Sequence, residues 1–75
     1  MKTYNEMFLE ARKRLKNAGI EAYSLEARLI MIAATGKTRE EYARDMQLYA
    51  PDELEEKLDG MLARRIAGEP VAYIT

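Results

Sequence analysis

The N-terminal part of the chain carries a regular apolar stripe, which predicts an amphipathic helix. Its members recur at three- and four-residue steps: Tyr4, Met7, Phe8, Ala11, Leu15 and Ala18. Thr3 and Glu6 have the spacing of a capping box, in which each side chain accepts a hydrogen bond from the other residue's backbone N–H. Gly19 can adopt the left-handed backbone conformation that commonly ends a helix, and Ile20 can supply the apolar contact that accompanies it. We therefore predict a helix over Tyr4–Ala18.

The second apolar segment differs because its hydrophobic residues point in almost every direction. Ser24 is the predicted N-cap of this segment, and Gly36 marks its predicted end. The apolar members are Leu25, Ala27, Leu29, Ile30, Met31, Ile32, Ala33 and Ala34. A helix that is apolar on most sides belongs in the interior of a fold. The pattern therefore places this helix at the centre of a bundle.

Two further helices are predicted from the pattern of caps and breaks. Thr38 and Glu41 repeat the capping-box spacing and open a short helix over about Arg39–Met46, with Tyr42 and Met46 on its inner side. Pro51 disfavours helical geometry in the residue before it, so the chain must break there.

The last predicted helix covers about Glu53–Ala67. Asp52 and Glu55 have the capping-box spacing at its start, and Gly68 suits its end. The inner stripe of this helix consists of Leu54, Leu58, Met61, Leu62 and Ile66.

The C-terminal segment departs from the helical pattern. Pro70 forbids continuation of the helix, and Val71–Ile74 has the side chains typical of a β-strand. A lone strand has no partner among four helices, which indicates that the chain is entering a second, β-containing domain. We therefore predict an all-α fold, a compact bundle of four to five short helices over residues 1–68, with the start of a β-hairpin linker over residues 69–75.

Composition restricts the chemistry that this chain can perform. Its 75 residues have room for one domain, and 48% hydrophobic residues are enough for a small core. The absence of Cys and His excludes thiol redox chemistry, Cys/His metal sites and catalysis by Ser-His or Cys-His pairs. The net charge of −1 provides no general attraction to nucleic acid or to an anionic membrane. We expect no catalytic or metal-binding residue, no direct nucleic-acid or membrane partner, and a cytoplasmic location.

Two groups of residues are candidates for contacts with other protein surfaces. Arg12 and Lys16 lie in the last turns of the first helix, where the helix macrodipole also stabilises cations, and Leu9 projects beside them. We call Leu9, Arg12 and Lys16 the helix-one patch and predict that it binds a partner. Arg65 falls inside the apolar stripe of the last helix. Its guanidinium either extends to water or reaches a group beyond Thr75.

Other motifs favour ordinary structural roles. Gly36-Lys37-Thr38 resembles the end of a phosphate-binding loop, but Met31 stands where the motif requires a glycine. The same turn resembles a helix-turn-helix, whose recognition helix would present Glu40 and Glu41 to DNA phosphates. The acidic residues of the last helix lie on an exposed flank, without the pocket that a general acid or base needs to position a substrate.

Three segments of the chain resemble a known enzyme family. They are Ala18-Gly19-Ile20, Glu26-Ala27-Arg28-Leu29-Ile30, and the run Arg-Arg-Ile-Ala-Gly-Glu-Pro-Val-Ala-Tyr-Ile over residues 64–74. In this order they are similar to the N-terminal domain of HemK-family enzymes, the release factor glutamine N5-methyltransferases. The resemblance covers essentially the whole chain, and the C-terminal run is its most specific part.

The resemblance implies a two-domain parent enzyme. In this family the helical bundle helps to hold a class I peptide chain release factor, and a β-hairpin linker leads to a Rossmann-like domain that binds S-adenosylmethionine. The methyl group goes to the glutamine of the release factor's Gly-Gly-Gln loop. The family's Asn-Pro-Pro-Tyr motif and its glycine-rich cofactor loop are absent from these 75 residues. The resemblance therefore implies a substrate-recognition domain with no catalytic or cofactor-binding residue of its own.

The resemblance also implies which residues face the catalytic domain of the same chain. The family's linker motif carries over onto Gly68, Glu69, Pro70, Ala72 and Tyr73. Together with Arg65, we take Glu69, Pro70 and Tyr73 as the candidate interdomain residues. The alternative is a free-standing helical protein–protein interaction module, which should not end in an unpaired strand. A small DNA-binding helical domain is a weaker alternative.

Overall fold

Five helices in succession make up the fold in a computed structural model, which describes all of residues 1–75. They are α1 (Tyr4–Asn17), α2 (Tyr23–Thr35), α3 (Arg39–Arg44), α4 (Asp52–Ile66) and α5 (Val71–Ile74). The body they form measures 30 × 22 × 19 Å. None of the helices has both the length and the apolar character that crossing a membrane requires. The predicted all-α bundle is confirmed.

The helices α1 and α3 begin at the predicted capping boxes. At α1, the Glu6 N–H donates to the Thr3 hydroxyl at 3.1 Å, and the Thr3 N–H donates to the Glu6 carboxylate at 2.9 Å. Thr38 and Glu41 form the same two bonds at α3. The bond from the backbone N–H holds the pKa of each glutamate below its usual range, because it stabilises the charged form.

The other two predicted caps are wrong. The helix α2 begins at Tyr23, before Ser24, and its N-cap Ala22 makes no side-chain cap. The helix α4 begins at Asp52 itself, after Pro51, so that carboxylate lies inside the first turn and makes no capping bond. The N-cap lies two residues before Ser24 in α2 and one residue before Asp52 in α4, because the Ala22 carbonyl already accepts the first helical bond and Pro51 already has the extended geometry of an N-cap.

The ends of α1 and α4 follow the glycine signals in the sequence. After α1, the Ile20 N–H donates to the Leu15 carbonyl at 3.1 Å and the Gly19 N–H donates to the Lys16 carbonyl at 3.0 Å, the bond pair of a Schellman motif. Gly19 has φ +83°, which a residue with a Cβ adopts only with strain. Gly68 repeats this arrangement after α4.

The helix α2 lies at the centre, as its apolar pattern predicts. It contacts each of the other four helices, and Ala27, Ile30 and Met31 are completely buried. Its outer side is less buried than the pattern suggests, since Leu25 is exposed and Leu29 is half-buried. The core cluster consists of Tyr4, Met7, Phe8, Ala11, Leu15, Ala27, Ile30, Met31, Ala34, Tyr42, Ala50, Leu54, Leu58 and Leu62.

An isolated β-bridge joins the N-terminus to the segment between α3 and α4. Thr3 pairs in antiparallel fashion with Tyr49, and the Ala50 N–H donates to the Lys2 carbonyl at 2.8 Å. The Tyr4 N–H at the start of α1 donates to the Leu48 carbonyl at 3.1 Å. The Tyr4 bond satisfies one of the backbone N–H groups that α1 leaves free at its N-terminus.

The predicted strand over Val71–Ile74 is wrong, and with it the predicted start of a β-hairpin. This segment is the one-turn helix α5, which contacts α2 and α4 and buries Ile74. A strand without a partner leaves its backbone groups unsatisfied, whereas the turn supplies internal bonds such as that from the Thr75 N–H to the Val71 carbonyl at 3.0 Å. The unpaired strand therefore no longer argues against a free-standing module. The linker role of residues 69–75 stays a prediction.

Candidate functional site

The structure brings the three residues of the helix-one patch onto one side of α1. Leu9 is 49% exposed, Lys16 is exposed and Arg12 is half-buried. The Arg12 guanidinium lies 5.1 Å from the centre of the Tyr23 ring, and the Lys16 ammonium lies 5.6 Å from the same centre. Tyr23, at the start of α2, therefore belongs to this surface. Tyr23 was not among the residues predicted from the sequence, although cations four residues apart on one helix can flank a single ring.

A third cation–aromatic contact continues this surface along the junction of α1 and α2. The Arg28 guanidinium of α2 lies 5.6 Å from the centre of the Phe8 ring of α1. Phe8 lies one helical turn before Arg12, so the two contacts follow each other along α1. We call Leu9, Arg12, Lys16, Tyr23 and Arg28 the α1–α2 basic strip.

The ion pairs of the bundle leave this strip uncompensated. Six of the twelve Lys and Arg side chains are paired with carboxylates: Lys2, Arg14, Lys37, Arg44, Arg64 and Arg65. The six cations outside these pairs are Arg12, Lys13, Lys16, Arg28, Arg39 and Lys57. Half of them therefore lie in the α1–α2 basic strip.

Arg65, the first candidate interdomain residue, is paired inside the bundle. Its Nε lies 2.6 Å from a carboxylate oxygen of Glu26 in α2, and the two side chains are only 23% and 14% exposed. A second bond runs from its guanidinium to the Glu69 carbonyl at 3.4 Å. Neither sequence-based alternative anticipated Glu26, since both sent the guanidinium out of the bundle. The pair connects two of the segments that carry the family resemblance.

The other candidate interdomain residues surround the turn between α4 and α5. The Glu69 carboxylate lies 2.7 Å from the Arg64 guanidinium, a contact that raises the pKa of Arg64. Arg64 also donates to the Tyr73 carbonyl at 3.4 Å. Pro70 is the N-cap of α5. The Tyr73 side chain is 77% exposed, so its ring is free to contact another surface.

Asp45 is the one buried charged residue, and the sequence analysis did not single it out. Its carboxylate lies 2.9 Å from the Lys37 ammonium and 2.7 Å from the Arg44 guanidinium. These bonds, led by that of Arg44, hold the pKa of Asp45 well below its usual range. Lys37 also lies 5.3 Å from the centre of the Tyr4 ring. Because the three charged side chains are already engaged with one another, we assign this group a structural role.

A shallow cavity of about 220 Å³ lies between the ends of α1, α2 and α4. Its lining residues are Tyr4, Ala34, Thr35, Pro51, Glu53, Leu54 and Lys57. Small-molecule sites usually enclose about 300–1,000 Å³ and several convergent polar groups. No cluster of three or more Asp or Glu side chains is arranged to hold a metal ion. The strip of cations and aromatic rings is therefore the better candidate for a functional site.

Comparisons with known proteins agree on one family. A family model described as the PrmC N-terminal domain matches residues 6–75. The chain is 41% identical over 64 residues to the release factor glutamine methyltransferase of Caulobacter vibrioides. That alignment covers 85% of this chain and 22% of the longer protein. No solved structure matches the chain.

Proposed function

Because this chain belongs to the family of PrmC N-terminal domains, we propose that it is the substrate-recognition domain of a release factor glutamine methyltransferase. In this proposal the parent enzyme works in the cytoplasm. It transfers a methyl group from S-adenosylmethionine to the glutamine of the Gly-Gly-Gln loop of a class I peptide chain release factor. The observation that carries the proposal is the match over residues 6–75, together with the relative's name.

The proposal assigns the chemical step to another part of the parent protein. The residues described here form five helices and no strand, so they do not fit the strand–loop–helix site that binds a nucleoside cofactor in Rossmann-like domains. The chain spans 22% of the length of the relative it matches, which leaves room for such a domain. We therefore derive no methyl-transfer step from the present side chains.

In this proposal the bundle would help to align the glutamine amide of the substrate with the methyl donor. An amide nitrogen is a poor nucleophile, so its orientation toward the methyl donor matters for the rate. Binding energy from a distant part of the substrate can supply that orientation. A bundle whose core cluster joins α1, α2, α3 and α4 is a rigid support for such a distant contact.

The interdomain residues enter the proposal in a modified form. Arg65 is compensated by Glu26 and Glu69 by Arg64, so these pairs would stabilise the turn that leads out of the bundle. Pro70 would set the direction of that turn, and the exposed Tyr73 ring would contact the catalytic domain of the same chain.

The proposal can be tested in the full-length parent enzyme by deleting residues 1–68. We would compare kcat/KM for an intact release factor with kcat/KM for a short glutamine peptide carrying the Gly-Gly-Gln sequence. Recognition by the bundle predicts a large loss with the intact release factor and little change with the peptide. The peptide rate also reports whether the remaining enzyme is folded. Equal kcat/KM losses on both substrates, or no loss on either, would contradict the proposal.

A further inference from the structure

We propose that the α1–α2 basic strip, centred on Tyr23, is a docking surface for an acidic segment of the release factor. This inference rests on the proposed function and specifies where and by what chemistry the substrate is held. Three observations support it: the residues are contiguous, their cations are in no ion pair, and two of these cations lie against the same ring.

The contacts between the side chains make the strip continuous. Arg28 lies on the Phe8 ring, Phe8 precedes Arg12 by one turn, and Arg12 lies on the Tyr23 ring. Lys16 occupies the far side of the strip on the same ring. Leu9 is one turn from Arg12 and adds an exposed apolar side chain. The surface thus combines Arg, Lys, an aromatic ring and a leucine, and interfaces are enriched in Arg and aromatic residues.

The charge of the strip indicates an acidic partner. One carboxylate of α1 and one of α4 are engaged with cations outside the strip, because Glu10 pairs with Lys2 and Asp59 pairs with Arg14. Three cations therefore remain on one surface of a protein whose net charge is −1. A partner that presents carboxylates would compensate them, and Arg can bind a carboxylate through two parallel hydrogen bonds.

The order of the side chains favours binding. A free arginine or lysine side chain at an interface loses conformational freedom when a partner immobilises it. Contacts at 5.1 and 5.6 Å from the Tyr23 ring already restrict Arg12 and Lys16. Tyr23 itself packs against the core cluster, so the ring is a fixed support for both cations. Holding side chains near their bound positions before a partner arrives reduces the entropic cost of binding.

The test uses a charge reversal at the strip in the full-length parent enzyme. The variant carries Arg12→Glu and Lys16→Glu, and the matched control carries Arg39→Glu and Lys57→Glu. The control makes the same change in net charge at two exposed cations that belong to no ion pair and lie outside the strip. The association rate and Kd for an intact release factor are measured at several salt concentrations.

We expect the strip variant to lower the association rate by roughly tenfold or more at low salt, with a smaller difference at high salt, because complementary charges steer association. The control should stay within about twofold, since exposed charges away from an interface change binding little. A Tyr23→Leu variant keeps an apolar side chain against the core but removes the ring that the two cations contact. It should raise the Kd for the release factor while the midpoint of urea unfolding changes little. Equal effects in the strip variant and the control would overturn the inference.

Two further measurements separate this inference from its premise. If the deletion of residues 1–68 impairs methylation of the intact release factor but the strip variant does not, the bundle recognises its substrate through another surface. If the deletion has no effect on the intact release factor, the proposed function itself fails. Binding of a duplex oligonucleotide or a single-stranded RNA that disappears in the strip variant would also contradict the inference, since it would assign the cations to phosphate groups.

Discussion

The hydroxyl group of Tyr42 is buried without a hydrogen-bond partner, so replacing Tyr42 with Phe should stabilise the bundle. The residue is 2% exposed and its ring belongs to the core cluster. Leaving a buried polar group unpaired costs about 1–3 kcal/mol of desolvation. Phenylalanine keeps the ring and removes this cost, while the small void left by the oxygen offsets part of the gain. We therefore expect Tyr42→Phe to raise the free energy of unfolding by about 1 kcal/mol.

Urea denaturation followed by circular dichroism at pH 7 measures this change. The matched control is Tyr73→Phe, the same chemical change at a side chain that is 77% exposed. Surface substitutions of this kind usually change stability by no more than about 0.5 kcal/mol. If Tyr42→Phe instead lowered the free energy of unfolding by about 1 kcal/mol, the hydroxyl would be making a net favourable bond of ordinary strength and the reasoning would be refuted.

The same residue gives a pH dependence with a defined sign. Burial raises the pKa of Tyr42 to about 12 from an ordinary value of 10.0, against the smaller opposing effect of the Arg28 charge. The folded state therefore retains the phenolic proton that the unfolded state releases between these values, and stability falls as the pH rises through this window. Tyr42→Phe lacks this titration. Its stability advantage over the natural protein should grow above pH 10.

Three other substitutions test the packing, the helix end and the buried charge. Ile30→Ala should lower the free energy of unfolding by about 2–5 kcal/mol because Ile30 is completely buried. Leu29 is only half-buried, so Leu29→Ala should lower it clearly less in the same urea experiment. Gly19→Ala should cost about 1–2 kcal/mol by urea denaturation, because Gly19 has φ +83°. Asp45→Asn should lower the melting temperature at pH 7. The difference from the natural protein should shrink as the pH falls below the ordinary value of 3.8, because the folded-state pKa of Asp45 is lowered and its contribution is lost on protonation.

Local signals predicted the parts of the fold that depend on a few consecutive residues. The capping box at Thr3 and the Schellman motif at Gly19 each involve residues within one or two turns, so their spacing in the sequence is enough to place the ends of α1. The central position of α2 followed from its apolar composition in the same way. Ser24 shows the limit of local signals. It is a good capping residue, but α2 begins before it because the Ala22 carbonyl already accepts the first helical bond.

Pairings between distant residues could not be predicted from the sequence. Glu26 and Arg65 are 39 positions apart, and nothing in either local pattern indicates that the packing of α2 on α4 brings them together. The strand prediction for Val71–Ile74 was wrong for a related reason. Its side chains favour a strand, but strand formation depends on a neighbouring strand, and within these residues the docked helical turn satisfies the backbone instead. For the candidate site, the sequence located Arg12 and Lys16 but not the ring between them.

The cations that form ion pairs within the bundle are different from those of the α1–α2 basic strip, which makes recognition and stability separable by mutation. Arg14, two positions from Arg12, joins α1 to α4 through Asp59 at 2.7 Å, whereas Arg12 and Lys16 have no carboxylate partner. Their contacts with Tyr23 are each worth about 0.5–1 kcal/mol at an exposed site, so removing them leaves the core intact. An Arg14→Glu variant would instead oppose Asp59 with a like charge. If the inference is right, the variant with Arg12→Glu and Lys16→Glu impairs release factor binding more than stability. The Arg14→Glu variant impairs stability more than binding. If both variants impaired stability more than binding, the strip would act only through the fold.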